Sequence, residues 1–380
     1  MTGIETNCDK PDLTCRLTAN SEVAGVTRTS TLRRRIMSGR LPRRIRRSCP
    51  ARVFFALALG VVLIGVRADA AVGQEDGGVS DFYPEIVTEQ TRADSSALAR
   101  LEAPGQVFFT DGFEDESGFE GYLEVRGRDD GRTLRVQNAD LVNSGAYSVQ
   151  FTAPENSGNS SGSGGSLWFG PEGYDVVYFR RHIRFAPDYD QGNLNHTGGG
   201  LAGVAGSDPW AGMGQAGIKP MGDDRFTASF EAWKDWGRYP APGYMFVYAS
   251  WMDMRQDRDG HYWGNMLDPG TENRFVPERG RWYCLEQMIG VNDVGQANGE
   301  MATWIDGQLY LHCRGFRWRS DEEVRIKRAS FGIYIHEARK ENRVWYDDVA
   351  LSTGYLGPAA GPPTGVTSES WGEIKAQRRK

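Results

Sequence analysis

"GEMATWIDGQLYLHCR", residues 299–314, is the stretch that decides the fold. Two runs of alternating apolar and polar residues flank the dipeptide Asp306-Gly307. Asp-Gly between such runs is typical of a two-residue hairpin turn, because both positions of that turn need a positive φ, which Asp tolerates and Gly adopts freely. The stretch therefore predicts two adjacent antiparallel strands.

Similar runs continue on both sides of this hairpin, separated by Gly, Asn, Asp and Pro, and no long helical period interrupts them. The chain of 380 residues also contains 48 Gly, 17 Phe, 15 Tyr and 11 Trp, a composition typical of sheets joined by many turns. So many short strands in one domain predict an all-β sandwich or barrel. The candidate strands are "GQVFFTD", "LRVQN", "YSVQFTA", "DVVYFRRHIRF", "RFTASFEAW", "GYMFVYASW", "RWYCLEQMIGV", "GEMATWIDG", "QLYLHCR", "RIKRASFGIYIH" and "RVWYDDVALS".

The first 70 residues have the features of a leader. The apolar run "VFFALALGVVLIGV", residues 53–66, follows an Arg-rich segment and precedes the small-x-small site Ala68-Asp69-Ala70. This pattern predicts a secretory signal peptide cleaved after Ala70, with a retained membrane anchor as the alternative. We expect a secreted or periplasmic protein with no stable membrane anchor after cleavage.

Composition divides the rest of the chain into three parts. Residues 71–104 are polar and predict a flexible linker, residues 105–358 hold the strands of one domain, and residues 359–380 have the Pro, Gly and Ser content of a disordered tail.

Charge limits the class of partner. The leader holds 13 of the 44 Lys and Arg and 5 of the 50 Asp and Glu, so the remaining chain has 31 basic and 45 acidic residues, a net charge of −14. Such a surface disfavours nucleic acid as a partner, since binding it requires neutralisation of phosphates.

Two cysteines, Cys284 and Cys313, lie beyond the leader. An even pair in an oxidising compartment predicts a disulfide between them, and a metal site is the weaker alternative because no cluster of further ligands surrounds them.

The strand "VVYFRRHIRF", residues 176–185, carries unusual positive charge. Successive side chains of a strand point to opposite faces, so Arg180, His182 and Arg184 share one face and Arg181 lies on the core side, where its role is unexplained. On this acidic chain, the three outward residues predict a carboxylate-binding stripe.

Other strands also place aromatic and ionisable side chains away from the core. For any single strand the alternative is an ordinary solvated face. Together, however, these residue types suit a binding groove, because aromatic rings stack on sugars and Arg binds carboxylates. The outward residues are Arg225, Glu231, Trp233, Tyr244, Tyr248, Tyr334 and His336.

This set suits β-elimination from a uronic acid, which needs a neutralised carboxylate, a base for the C5 proton and an acid for the departing O4. Arg180 and Arg184 are the candidates for binding carboxylates, and Glu231 and Trp233 for orienting sugars. A hydrolase would need a second, paired carboxylate, which the sequence does not show. The proton-transfer candidates are His182 or His336 and Tyr248 or Tyr334.

Five segments in order, "YFRRHIRFAPDYD", "HTGGGLAG", "GDDRFTASFEAW", "RGRWYCLEQMIGVND...NGEMATWIDGQLYLH" and "VWYDDVALSTGYLGP", resemble polysaccharide lyase family 14-like domains. This group includes alginate and glucuronan lyases, and the resemblance covers residues 106–358. It implies a concanavalin-type β-sandwich jelly roll with a concave groove that binds an acidic polysaccharide. We expect a monomer that cleaves a uronate polymer by β-elimination.

One departure from the family pattern concerns substrate. Alginate-lyase members carry a Lys in the segment where this chain reads "GNLNHTGGGLAG", so His196 or Asn195 stands in its place. The pattern of His182 and Arg184 is closer to glucuronan lyases.

The resemblance also implies a structural Ca²⁺ held by acids near the two ends of the domain. "DGFEDE" supplies Glu114 and "YDDV" supplies Asp347 or Asp348. Hard oxygen ligands suit Ca²⁺, and solvated acids at strand ends are the alternative.

Two other functions fit the same fold, since fold alone does not determine function. One is a non-catalytic carbohydrate-binding protein, and the other is a structural or adhesive surface protein.

Overall fold

The computed structural model describes residues 82–115, 119–155 and 161–359, and strands dominate them. The predicted signal peptide and nearly all of the predicted tail lie outside the described residues. These described ranges contain two α-helices, α1 (Thr88–Ala93) and α2 (Ser95–Leu101), with 3-10 turns at Ala139–Leu141 and Thr271–Asn273. The strands are β1 (Glu85–Ile86), β2 (Val107–Asp111), β3 (Tyr122–Arg126), β4 (Thr133–Val136), β5 (Ser148–Ala153), β6 (Ser161–Trp168), β7 (Val176–Phe185), β8 (Asn195–Val204), β9 (Arg225–Trp233), β10 (Tyr244–Ser250), β11 (Asn265–Leu267), β12 (Trp282–Gly290), β13 (Gly299–Ile305), β14 (Gln308–Phe316), β15 (Arg325–Ile335) and β16 (Asn342–Ser352).

The strands form two antiparallel sheets. The nine-stranded sheet has the order β1-β14-β13-β12-β7-β16-β5-β4, with β2 also paired to β16. The seven-stranded sheet has the order β11-β10-β9-β8-β15-β6-β3. The predicted all-β sandwich jelly roll is confirmed.

The core lies between the two sheets and follows the alternation of side chains along each strand. On β9, Phe226, Ala228 and Phe230 are fully buried, whereas Ser229 and Glu231 point to the outer face. Several strands of the seven-stranded sheet therefore present polar side chains on one continuous outer face.

The hairpin predicted at Asp306-Gly307 is present. β13 and β14 pair through Ile305 and Gln308, and both turn residues have a positive φ, 49° at Asp306 and 77° at Gly307. The Asp306 carboxylate also accepts a hydrogen bond of 2.8 Å from the backbone N–H of Cys284, which ties the turn to β12.

The predicted flexible linker is wrong for residues 82–104, because this segment packs on the domain. β1 pairs with β14, and the Asp94 side chain caps α2 by accepting N–H bonds from Ser96 and Ala97. Leu101 is 5% exposed and its carbonyl accepts a 2.6 Å hydrogen bond from the Tyr178 hydroxyl. Within the described ranges, neither helix is long and apolar enough to cross a membrane.

The predicted disulfide is also wrong, since Cys284 and Cys313 are both free and buried. Cys284 lies on β12 and Cys313 on β14, with β13 between them. Two strand spacings amount to about 10 Å, which exceeds the ~7 Å between Cα atoms that a disulfide can bridge. Burial raises the pKa of both thiols, so they behave as core side chains.

Candidate active site

Five of the predicted site residues meet on the outer face of the seven-stranded sheet, and we call them the His196 cluster. The ring centroid of His196 lies 5.5 Å from that of Tyr248, 6.1 Å from that of Tyr334 and 5.6 Å from that of His336. The fifth member is Glu231, whose carboxylate contacts the His196 ring.

The sheet brings these residues together although they are distant in sequence. β8 lies between β9 and β15, and β10 lies beyond β9. His196 is directly opposite Tyr334 on β15, and Glu231 is opposite Gly198 on β8. Four of the side chains point away from the core because they are on the outward parity of their strands, and His336 directly follows the end of β15.

His196 and Glu231 form a hydrogen-bonded pair. The Nδ1 of His196 lies 3.0 Å from Oε1 of Glu231, whose side chain is 3% exposed, while 44% of the His196 side chain is exposed to the groove. Burial lowers the pKa of His196, but the charge and hydrogen bond of Glu231 outweigh it, so the pKa is raised overall. Because a carboxylate can only accept here, Nδ1 carries the proton and Nε2 faces the groove as a basic nitrogen.

The pKa values of Tyr248 and His336 are also shifted, in directions that suit other roles. Burial, helped by the negative charge of Glu231, raises the pKa of Tyr248, so its phenol stays protonated. Burial, with the charge of His196, lowers the pKa of His336 to about 4, so this imidazole is neutral at pH 7.

The floor of the groove is made of glycine. A Cβ added at Gly198 would lie 2.3 Å from the carbonyl oxygen of Phe230, and one at Gly332 would lie 2.4 Å from that of Ser163. Only residues without a Cβ fit at such a close approach of strands. The result is a flat surface bordered by the hydroxyls of Ser166, Ser229 and Ser330.

Arg126 at the end of β3 also lines this groove, and the sequence reasoning missed it. Its side chain is 51% exposed, and its Nε lies 3.9 Å from Glu124, so the guanidinium is open to a ligand. The run "YLEVR" was not recognised as a strand; the alternation of Leu123 and Val125 with polar residues is the signal that indicates one.

Arg180, His182 and Arg184 are not in this groove. They lie on the outer face of the nine-stranded sheet, with the core between them and the His196 cluster. Arg180 donates a 3.1 Å hydrogen bond to the carbonyl of Gly357, and Arg184 donates to that of Asp140. The structure therefore does not bring this stripe together with Tyr248 and His336. Alternation places a residue on one side of its strand without specifying the sheet.

His182 is enclosed on that face. It is 5% exposed, its Nδ1 lies 3.6 Å from Asp348, and burial lowers its pKa to about 4. This environment is that of a neutral packed imidazole.

The other three predicted sugar-binding residues, Arg225, Tyr244 and Trp233, are not members of the His196 cluster. Arg225 begins β9, at the end of the strand away from Glu231. It pairs with Asp224 and donates a 2.7 Å hydrogen bond to the carbonyl of Ile218. Tyr244 is 1% exposed. Trp233 is partly exposed, and its indole N–H donates a 2.9 Å hydrogen bond to the carbonyl of Asn193.

Arg181, unexplained by sequence, crosses the core beneath the groove. It is fully buried, and its Nη2 donates hydrogen bonds of 2.8 Å to the carbonyls of both Gly199 and Phe230. Its Nε and Nη1 have no hydrogen-bond partner among the described residues. Burial lowers its pKa to about 10.

The acids expected to hold Ca²⁺ surround one loop, residues 143–147. Glu114 accepts N–H bonds from Ala146 and Tyr147, and Asp347 accepts one of 2.9 Å from Asn143. Burial and the charge of Asp348 raise the pKa of Asp347 to about 7. Among the described residues no set of three His, Cys, Asp or Glu side chains surrounds a common point, so the Ca²⁺ site stays a prediction.

Several lyases are among the known structures that are similar to this one. The crystal structure of an alginate lyase from Aplysia kurodai aligns with a TM-score of 0.48 and 12% identity over 67% of this chain and all of that one. An endo-β-1,4-glucuronan lyase from the fungus Trichoderma reesei aligns with a TM-score of 0.41 and 15% identity over 65% of this chain and 95% of that one. A Chlorella virus alginate lyase aligns with a TM-score of 0.43 and 13% identity, over 68% of this chain and 97% of that one.

A search of curated proteins finds no significant match. The family model that matches is polysaccharide lyase 14, over residues 142–335. The matched residues span β5 to β15 and contain every member of the His196 cluster except His336, which follows directly after them. They amount to half of the chain, and the chain belongs to the polysaccharide lyase 14 family.

Proposed function

We propose that this protein cleaves a uronic-acid-containing polysaccharide by β-elimination in the groove of the His196 cluster. The observation that carries the proposal is the His196–Glu231 pair, which lies beside Tyr248 and Tyr334 on a floor of glycine. A sugar ring can approach such a floor closely, and a partner-oriented imidazole is the usual form of a protein general base.

In this mechanism Arg126 pairs with the C6 carboxylate and thereby stabilises the negative charge that develops when the C5 proton leaves. The Nε2 of His196 takes that proton. The electron pair of the broken C5–H bond forms the C4–C5 double bond, and the C4–O4 bond breaks.

Tyr248 then donates its phenolic proton to the departing O4. The products are an unsaturated uronate and a new hydroxyl end. Proton exchange with water returns His196 to its neutral form and Tyr248 to its protonated form.

The decisive experiment follows the ultraviolet absorbance of the unsaturated product with polyglucuronate and alginate as substrates. We expect wild-type protein to produce it from at least one of them and His196→Ala to lose the activity. His261→Ala is the matched control, because His261 lies in an exposed loop against Trp263 and outside the groove. Polymer binding without any product, or full activity in His196→Ala, would reject the proposal.

We further propose that the protein is secreted and that Ca²⁺ binds Asp347 or Asp348 together with Glu114 and backbone oxygens. Support for secretion is the apolar run at residues 53–66. Support for the ion is the buried Asp347 beside the partly exposed Asp348, since a cation would offset the repulsion between their charges. A chelator should lower the melting temperature and added Ca²⁺ should restore it; an unchanged melting temperature in both would count against the site.

A further inference from the structure

A row of aromatic rings leads from the His196 cluster to the surface. Ring centroids are 6.4 Å apart from Tyr248 to Phe246, 6.2 Å from Phe246 to Trp233, and 6.3 Å from Trp233 to Trp236. The row is built by alternate residues of β10 and by the end of β9, so it continues the outer face of the seven-stranded sheet. We call these four residues the aromatic row.

The row ends on a tryptophan that the protein holds in the open. Trp236 is 64% exposed and has a φ of 55°, directly after Asp235 with a φ of 48°. A bulky residue in this conformation is strained, and surrounding contacts must hold it there. Tyr239 N–H and Gly237 N–H both bond to the carbonyl of Lys234, at 3.0 and 3.1 Å, and close the turn.

Ion pairs fix the same turn. The Asp235 carboxylate lies 3.2 Å from Arg238 and 3.9 Å from Arg274. Lys234 pairs with Asp190 at 2.6 Å. Arg238 donates to Asp235 through Nη1, and its side chain is 70% exposed, so the other donors of the guanidinium can bind a ligand.

An exposed indole and an exposed guanidinium in the same turn are the two features that a uronic acid residue requires. The C–H face of a sugar ring stacks on an aromatic face, and a carboxylate pairs with Arg. Trp233 packs against Trp236, since the two rings meet edge-on. The indole N–H of Trp233 is already bonded to the carbonyl of Asn193.

We propose that Trp236 and Arg238 form an outlying subsite for a uronate residue of the same strand whose bond lies at the His196 cluster. This inference rests on the proposed function, because the subsite is reached along the aromatic row from that cluster. Because only a long strand reaches both the His196 cluster and this subsite, the enzyme favours long polymers over short oligosaccharides.

The test compares Trp236→Asn with Trp236→Tyr. Asn tolerates the positive φ, so the first variant removes the ring without added backbone strain, whereas the second keeps an aromatic face. Trp210→Asn is the matched control, because Trp210 is 40% exposed and lies outside the aromatic row.

For Trp236→Asn we expect KM for polyglucuronate or alginate to rise roughly three- to tenfold with kcat unchanged, and KM for trisaccharides to stay the same. Trp236→Tyr should recover most of the loss, and Trp210→Asn should match wild type. An unchanged polymer KM in Trp236→Asn, or an equal rise for trisaccharides, would overturn the subsite.

Gel retardation in polyuronate separates this inference from the proposed function. If wild type is retarded but produces no unsaturated product, and Trp236→Asn is not retarded, the subsite stands and the lyase activity fails. If wild type is neither retarded nor active, both fail.

Discussion

The His196–Glu231 pair shows how one residue sets the chemistry of another. Glu231 is on the outer face of its strand and yet almost fully buried, because the His196 ring and its neighbours cover it. A buried carboxylate bonded to an imidazole favours the protonated imidazole.

We predict that Glu231→Gln moves the rising limb of the pH–rate profile to lower pH. Activity requires neutral His196 and therefore rises as pH passes the pKa of His196, which Glu231 raises. Without the carboxylate, burial alone acts and the pKa falls. The maximal rate should also fall roughly 100-fold, since the ring loses its orienting partner. Initial rates across pH measure both effects.

Glu231→Asp is the control for this prediction, since it keeps the charge and should keep the limb nearer to that of wild type. A limb that stays in place in Glu231→Gln would show that Glu231 does not act through His196.

Arg181 leads to a prediction about stability. Its guanidinium is buried with no carboxylate partner within an ion-pair distance among the described residues, and a buried charge of this kind is costly. We expect Arg181→Met to raise the free energy of unfolding by about 1–2 kcal/mol in denaturant titrations. Arg181→Lys, which keeps the charge and loses the forked donor, should lower it. A clear loss in Arg181→Met would mean that the bonds to Gly199 and Phe230 outweigh the cost of burial.

At the scale of elements, β7 shows what sequence can and cannot predict. Alternation correctly separated Phe179 and Ile183, which are in the core, from Arg180 and Arg184, which are outside it. It could not assign the strand to a sheet, because that depends on pairing with β12 and β16, which are about a hundred residues or more away. The outer face that carries the His196 cluster thus belongs to other strands.

The helices α1 and α2 pack on the domain, although their polar composition does not indicate it. Leu101 of α2 packs with Tyr178, Trp304 and Leu309 in a small cluster on the outer face of the nine-stranded sheet. Such a contact is hard to predict from sequence, because one buried leucine among polar residues gives a helix little hydrophobic periodicity.

We predict that Leu101→Ala lowers the free energy of unfolding by about 2–4 kcal/mol, since it leaves a cavity in this cluster. Leu98→Ala is the control; Leu98 is only partly buried there and should cost less. Chemical denaturation measures both. Equal small losses would show that α2 is not part of the cooperative unit.

Across the whole domain, the core between two large sheets is extensive enough that no disulfide is needed for folding. The cluster of buried residues extends through both sheets, and Cys313 is one of its members as a free thiol. A domain of this size buries enough apolar surface to fold without disulfides.

We therefore expect the melting temperature of the folded protein to be the same with and without dithiothreitol. A fall of several degrees in the reductant would show that the two thiols pair after all. Cys313→Ser tests the alternative role, because it places a hydroxyl in the core and should lower the melting temperature in both conditions.

Much of the site could be predicted from residue types, and its extent could not. Glu231, Tyr248, Tyr334 and His336 were candidates from residue type and alternation, and His196 was a candidate from the resemblance to the lyase family. Arg126 and Trp236 were missed, since one is on an unrecognised strand and the other in a turn, where no periodicity indicates direction.

The order of strands also bears on how the protein is made. β16, which ends at Ser352, lies in the interior of the nine-stranded sheet between β7 and both β5 and β2. A ribosome must therefore release this strand before the sheet can close, and the edges of β7, β5 and β2 that pair with β16 stay open until then. Such distant pairing slows folding and exposes the nascent chain to aggregation, so a truncation that removes β16 would leave no smaller working domain.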